Sequence, residues 1–174
     1  MDTVAGFLRV GAGMSLTHDD PANTLTISVT DAWSYASLAS DSASSATTLS
    51  DVAGLVFTSE ANLTYEVEVF GSFQTSALTT GLGLALNIPS GSVFGFAMAQ
   101  SAIETPMLSS QNANNATLAP TTAVGASNTP YPIFGKYLVS IGANGGPVQL
   151  RLRSEIASSA AILRAGTRMK WRAI

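Results

Sequence analysis

Cysteine is absent from the 174 residues. This excludes disulfides and thiolate metal ligands. Histidine occurs once, as His18. One imidazole cannot supply the clustered ligands of a zinc site, even with Asp19 and Asp20 beside it. It also sits next to a turn, which makes a Ser-His-acid set implausible, and no Gly-x-Ser-x-Gly elbow occurs. Charge is scarce: Asp, Glu, Lys and Arg make up 11% of the chain, about half the usual ~25%. No run of about 18 apolar residues is present, so no membrane-spanning helix is expected. The first residues lack the basic and apolar regions of a signal peptide. Without one, Asn62-Leu63-Thr64 and Asn115-Ala116-Thr117 read as chance matches to the glycosylation triplet. The sequence calls for no cofactor and no metal.

What is present is apolar and small. Hydrophobic residues make up 46%, enough for a core in one domain. A monomer with so little charge would show an apolar, Ser/Thr/Asn-rich surface, so part of that surface is expected to be buried against other subunits. The charge that exists is split along the chain. Residues 1–135 carry ten acids and one base, Arg9, a balance of −9; residues 136–174 carry seven bases and one acid, Glu155, a balance of +6. A basic tail can signal nucleic acid. Here Arg151, Arg153, Arg168, Lys170 and Arg172 alternate with mostly apolar residues, which is the pattern of an outward strand face. No nucleic-acid partner is expected. The bases are expected on neighbouring strands, facing acids from the N-terminal part of the same or a neighbouring chain.

Hydrophobic period assigns the elements. Met14 and Leu16 alternate with Ser15 and Thr17, and Leu25 and Ile27 alternate with Thr24, Thr26 and Ser28. The acidic turn Asp19-Asp20-Pro21-Ala22-Asn23 lies between them, so 14–29 reads as a hairpin. Residues 30–49 are dominated by Ser, Ala and Thr and read as a linker, with Trp33, Tyr35 and Leu38 as anchors. From Asp51 the period of two predicts strands over 52–58, 62–74, 81–88, 92–98, 133–141, 148–155, 160–164 and 167–174. In 62–74, Tyr65, Val67, Val69 and Phe73 share one face, while Glu66, Glu68 and Phe70 share the other. The segment 99–132 reads as a long irregular loop, functional or pinned by a partner. Many short strands between Gly, Pro and Asn turns predict an all-β sandwich or jelly roll.

Two patterns invite a chemical reading. Glu66 and Glu68 share a face about 7 Å apart, within reach of an inverting glycosidase pair. No third polar anchor accompanies them, so a strand row is the simpler reading. Gly11-Ala12-Gly13 and Gly81-Leu82-Gly83 complete no nucleotide-binding pattern. Tyr131, Tyr137 and Trp171 would be the platform of a carbohydrate-binding module, although 7% aromatic content is thin for one.

Leu49–Phe57, Leu63–Phe70, Thr79–Pro89, Asn128–Pro130, Gly146–Ile156 and Ile162–Arg172, in that order and behind the 14–29 hairpin, resemble the surface β-domain of tailed-bacteriophage virion proteins, of the tail-fibre and head-surface type. The resemblance covers roughly four fifths of the chain, and the order of its motifs carries it. It implies a jelly-roll-like homotrimer without enzyme activity, located on the virion. Two regions follow: residues 1–50 as the hairpin attachment element with its linker, and residues 51–174 as the β-domain. Little chain precedes the hairpin, so 1–50 is expected to do the attaching. Interface residues would be Leu16, Leu25, Ile27, Trp33 and Tyr35. Surface or receptor contacts would be Asn112, Asn114, Asn115 and Tyr131. The expected partners are further copies of the chain, other virion proteins of head or tail, and a host surface glycan; no membrane is expected.

Overall fold

The computed structural model describes residues 14–19, 24–29, 33–100 and 107–174. The chain divides into two compact units, Met1–Trp33 and Ser34–Ile174. In the first, β1 (Met14–Asp19) pairs antiparallel with β2 (Thr24–Val29). The register sets Met14 opposite Val29, Leu16 opposite Ile27 and His18 opposite Leu25. Alternate strand positions share a face, so this is the expected hairpin with its apolar residues aligned.

The second unit contains β3 (Ser34–Ser37), β4 (Ser42–Ser44), β5 (Ser50–Ser59), β6 (Thr64–Thr75), β7 (Leu82–Asn87), β8 (Gly91–Ala99), β9 (Met107–Gln111), β10 (Leu118–Thr121), β11 (Tyr131–Ile141), β12 (Gly146–Ser154), β13 (Ala161–Leu163) and β14 (Arg168–Ala173). They form two antiparallel sheets in a sandwich-like arrangement. The smaller runs β10-β7-β12-β5. The larger runs β3-β14-β6-β11-β8-β9, with β13 bridging β6 to β4. The all-β fold is the one the alternation predicts.

The core lies between the sheets. Tyr65, Val67, Val69 and Phe73 of β6 are buried, as are Ile133, Tyr137 and Val139 of β11 and Val93 and Ala97 of β8. Opposite them lie Val52, Leu55 and Phe57 of β5, Leu82, Leu84 and Leu86 of β7, and Val148, Leu150 and Leu152 of β12. Each large aliphatic side chain removed from water contributes roughly 1.5–3 kcal/mol. Phe57 of the smaller sheet stacks on Trp171 of the larger, with ring centroids 4.6 Å apart and planes 8° from parallel. Gly95 makes room for the Tyr137 ring: a Cβ there would overlap that ring and come within 2.6 Å of the Lys136 carbonyl oxygen.

Two parts of the fold differ from the expectation. Residues 34–49, expected to be a linker, supply β3 to β14 and β4 to β13, and Leu38 is buried. Small Ser and Ala residues suit strands at a sheet margin, where backbone pairing does most of the holding. The segment 99–132, expected to be irregular, contains β9 and β10, paired with β8 and β7.

Candidate protein-interaction face

The outward face of the larger sheet is assembled by register. Three rows cross it. Phe70, Phe134 and Met98 lie opposite one another on β6, β11 and β8. The next row runs Lys170, Glu68, Lys136, Phe96, and the third Arg172, Glu66, Leu138, Phe94. Along each strand these positions alternate with the buried ones, so the pleat alone turns them outward. The face is charged toward β14 and apolar toward β8.

The apolar half is open. Phe70 is 64% exposed and Phe94 67%, with Leu138 and Met98 also exposed. Phe96 and Phe134 are half-buried, their centroids 6.1 Å apart in a tilted pair. Phe94, Phe96, Leu138 and Ile174 wall a groove of about 380 Å³ that Glu66 and Lys136 close on one side. A smaller groove of about 180 Å³ lies along Phe70, Met98 and Phe134.

The charged half is paired within the chain. Lys136 Nζ lies 2.6 Å from Glu66 and 3.5 Å from Glu68. Arg172 Nη2 donates to Glu66 at 2.9 Å, and Lys170 Nζ lies 2.8 Å from Glu68. Hydrogen bonds from Lys136 and Arg172 hold the Glu66 carboxyl below its ordinary value, and the bond to Glu66 raises Lys136. A glycosidase acid needs the opposite, a carboxyl kept protonated by its surroundings. Glu66 and Glu68 are therefore a strand row locked by bases.

The acids of the early chain do meet the bases of the late chain. Beyond this row, Asp41 pairs with Arg164 and Asp51 with Arg151. One detail differs from the expectation. Arg151 and Arg153 lie on β12 in the smaller sheet, while Arg168, Lys170 and Arg172 lie on β14 in the larger. On β12, Arg151 meets Asp51 while Arg153 donates to the Thr47 and Ser154 carbonyls; on β14, Lys170 and Arg172 meet Glu68 and Glu66.

The residues singled out from sequence fall in several places. Leu16, Leu25 and Ile27 lie on the hairpin, with side chains outside the described part. Trp33 is half-buried. Tyr35 is exposed on β3, opposite Lys170 on the outward face. Asn112 is exposed. Asn114 accepts from Ile88 N–H and donates to Ile88 C=O, both at 2.9 Å. Asn115 occupies the left-handed region at φ 57° and accepts from Arg151 Nη1 at 3.0 Å. These two amides are engaged in holding β7 and β12. Tyr131, expected as a surface contact, is 8% exposed; its ring packs near Phe73 and its hydroxyl accepts from Ala126 N–H at 2.7 Å. Tyr137 is buried too, and Trp171 is stacked on Phe57. The three rings proposed as a sugar platform therefore face the core, because each follows the inward phase of its strand. Sequence reasoning missed Phe94, Phe96, Phe134, Met98 and Leu138. The signal was available: in 93–99, large residues alternate with Val, Gly and Ala, so both faces of the strand are apolar.

No known family and no curated protein matches the chain. Among solved structures it is similar to a chain of infectious bursal disease virus, Gx strain, at 11% identity over 97% of this chain and 41% of that one, with a TM-score of 0.19. The Gt strain gives 14% identity over 92% and 42%, with a TM-score of 0.18. The VP2 subviral particle of infectious bursal disease virus gives 8% identity over 95% and 44%, with a TM-score of 0.24. This chain spans less than half the length of those chains.

Proposed function

We propose that this chain is a non-enzymatic structural protein on the surface of a tailed-phage virion. In this reading it is a homotrimeric β-domain docked on the particle as a fibre, spike or decoration protein, with the N-terminal hairpin unit as the attachment element. The observation that carries the reading is the outward aromatic face. A solvated antiparallel sheet normally turns polar residues to water; this one turns four phenylalanines outward, which suits a protein that works by packing against others. The order of the sequence motifs adds the phage context. The burial of Tyr131 and Tyr137 weighs against the carbohydrate-binding alternative.

Quantitative mass spectrometry and antibody labelling of purified virions test the reading. The chain should be recovered in stoichiometric amount, in a multiple of three per particle. Hundreds of copies would assign decoration, and a few to a few dozen a fibre, spike or tail position. Recovery only in the unassembled lysate would overturn the proposal. Tight glycan binding by a monomeric chain would favour the alternative.

A further inference from the structure

We propose that the outward face of the larger sheet, centred on Phe70, Phe94, Phe134 and Leu138, is the surface on which a second copy of this chain docks. This rests on the homo-oligomeric reading above and goes beyond it by naming the contact surface.

Three observations carry it. The first is that the sheet is apolar on both sides. β8 buries Val93, Ala97 and Ala99 on one face and carries Phe94, Phe96 and Met98 on the other. The sandwich core covers only the first face.

The second is area. The contiguous outward residues expose apolar surface on the order of 500 Å², toward the top of what a soluble monomer shows as its largest patch. A standard interface takes about 800 Å² from each partner. The apolar half toward β8 and the adjoining ion-pair row toward β14 together approach that size, with Lys136 set between Phe134 and Leu138 on β11.

The third is charge, which selects the partner. Glu66 and Glu68 are already matched by Lys136, Lys170 and Arg172 of the same chain. A foreign protein recognised by steering would need a row of one sign. A face whose acids are answered internally repels no copy of itself. Its centre is aromatic and aliphatic, as in the more apolar interfaces of homo-oligomers. The groove walled by Phe94, Leu138 and Ile174, at about 380 Å³, has room for an inserted aromatic side chain. In a closed trimer the contact is head-to-tail, so each copy presents this face and covers its neighbour's with a different surface.

The test uses the full chain, wild type and Phe70→Glu/Phe94→Glu. Sedimentation equilibrium at micromolar concentration should give a multimer for the wild type and a 17.9 kDa species for the variant, with the far-ultraviolet spectrum unchanged. The dissociation constant should rise by a factor on the order of 10³, as for two lost hot spots. A variant that associates as tightly as the wild type would overturn the assignment of this face and leave self-association standing. A wild type that is a single chain at all concentrations would overturn both. Because the chain has no cysteine, Leu138→Cys gives a second readout that does not depend on the charged variant. Its thiol should react with maleimide more slowly as the protein is concentrated into the multimer, and an unchanged rate in the multimer would count against the face.

Discussion

Tyr65 and Tyr137 place the same phenol in the same core with opposite hydrogen bonding. The Tyr65 hydroxyl accepts from Glu60 N–H at 2.9 Å. The Tyr137 hydroxyl is buried and, among the described residues, has no hydrogen-bond partner. Desolvation pushes its ionisation well above the ordinary value of 10.0, so it stays a neutral phenol throughout the useful pH range. A buried polar group without a partner carries a desolvation cost of about 1–3 kcal/mol, whereas a made bond contributes about 1 kcal/mol. The two Phe substitutions should therefore differ in sign. Tyr65→Phe is expected to lower stability by about 1 kcal/mol, and Tyr137→Phe to leave it unchanged or raise it by up to about 1 kcal/mol. Urea denaturation of both variants measures this, and equal losses would show that Tyr137 has a partner of its own. The ring itself has to stay, because it fills the space left by Gly95 and Gly135.

At the scale of elements, β7 shows how a polar segment becomes structure. β10 pairs with only part of it. Beyond that, Gln111 takes over: its Oε1 accepts from Leu86 N–H at 3.0 Å and its Nε2 donates to Leu86 C=O at 2.8 Å. Asn114 does the same for Ile88. Two side-chain amides thus act as the missing strand. Gln111→Leu should cost about 1–3 kcal/mol for each backbone group left unpaired, while Asn112→Ala, on the exposed side of the same loop, should stay within about 0.5 kcal/mol. Chemical denaturation separates the two, and similar losses would argue against the amide ladder. This device also explains what the sequence hid. Strands 52–58, 62–74 and 148–155 were legible because one face is continuously apolar. Strands β9 and β10 were not, because MLSSQ and LAPT are short and show no alternation of apolar and polar residues, and they sit in a Ser/Asn/Thr/Pro-rich stretch. Asn114 is exposed and also bonds the Ile88 backbone, a structural role that its sequence setting did not signal, and the aromatic face went unread because the outward phase of β8 was not separated from its inward phase.

The ion-pair row across β14, β6 and β11 adds a pH dependence at the same scale. Glu66 is lowered from 4.5 by its bonds to Lys136 and Arg172, and Lys136 is raised from 10.5 by its bond to Glu66. A lowered carboxyl contributes stability that is present above its unfolded value and lost as pH falls through the folded one. A raised ammonium contributes stability that is full below its unfolded value and lost as pH rises through the folded one. The row should therefore contribute between those two limits. Glu66→Gln should flatten the acid limb of the melting-temperature profile as pH falls below 4.5. Parallel acid limbs in wild type and variant would remove Glu66 from the account.

At the scale of the whole molecule, the two units have different means of support. Among the described residues, the buried hydrophobic cluster runs from Leu38 to Met169, inside the second unit. Among its described residues the first unit offers two six-residue strands, and an isolated two-stranded hairpin is marginal in water. The charge is divided as well. Met1–Trp33 carries Asp2, Asp19, Asp20 and Asp31 against Arg9, a net of −3, while Ser34–Ile174 carries seven acids and seven bases and is neutral. Ion pairs of the second unit join its own early acids to its own late bases, as Asp41 to Arg164 and Asp51 to Arg151. Deleting residues 1–33 should therefore leave a cooperatively folding β-domain. Its melting temperature should stay within a few degrees of the full chain, as expected for a loss below about 1 kcal/mol in a domain of this size. The same deletion should abolish incorporation into particles if the hairpin is the attachment element. Circular dichroism melts report the first outcome, and pelleting with virions the second. A truncated chain that melts cooperatively and still pellets would move the attachment site into the second unit. One that no longer folds would show that the hairpin contributes to the core.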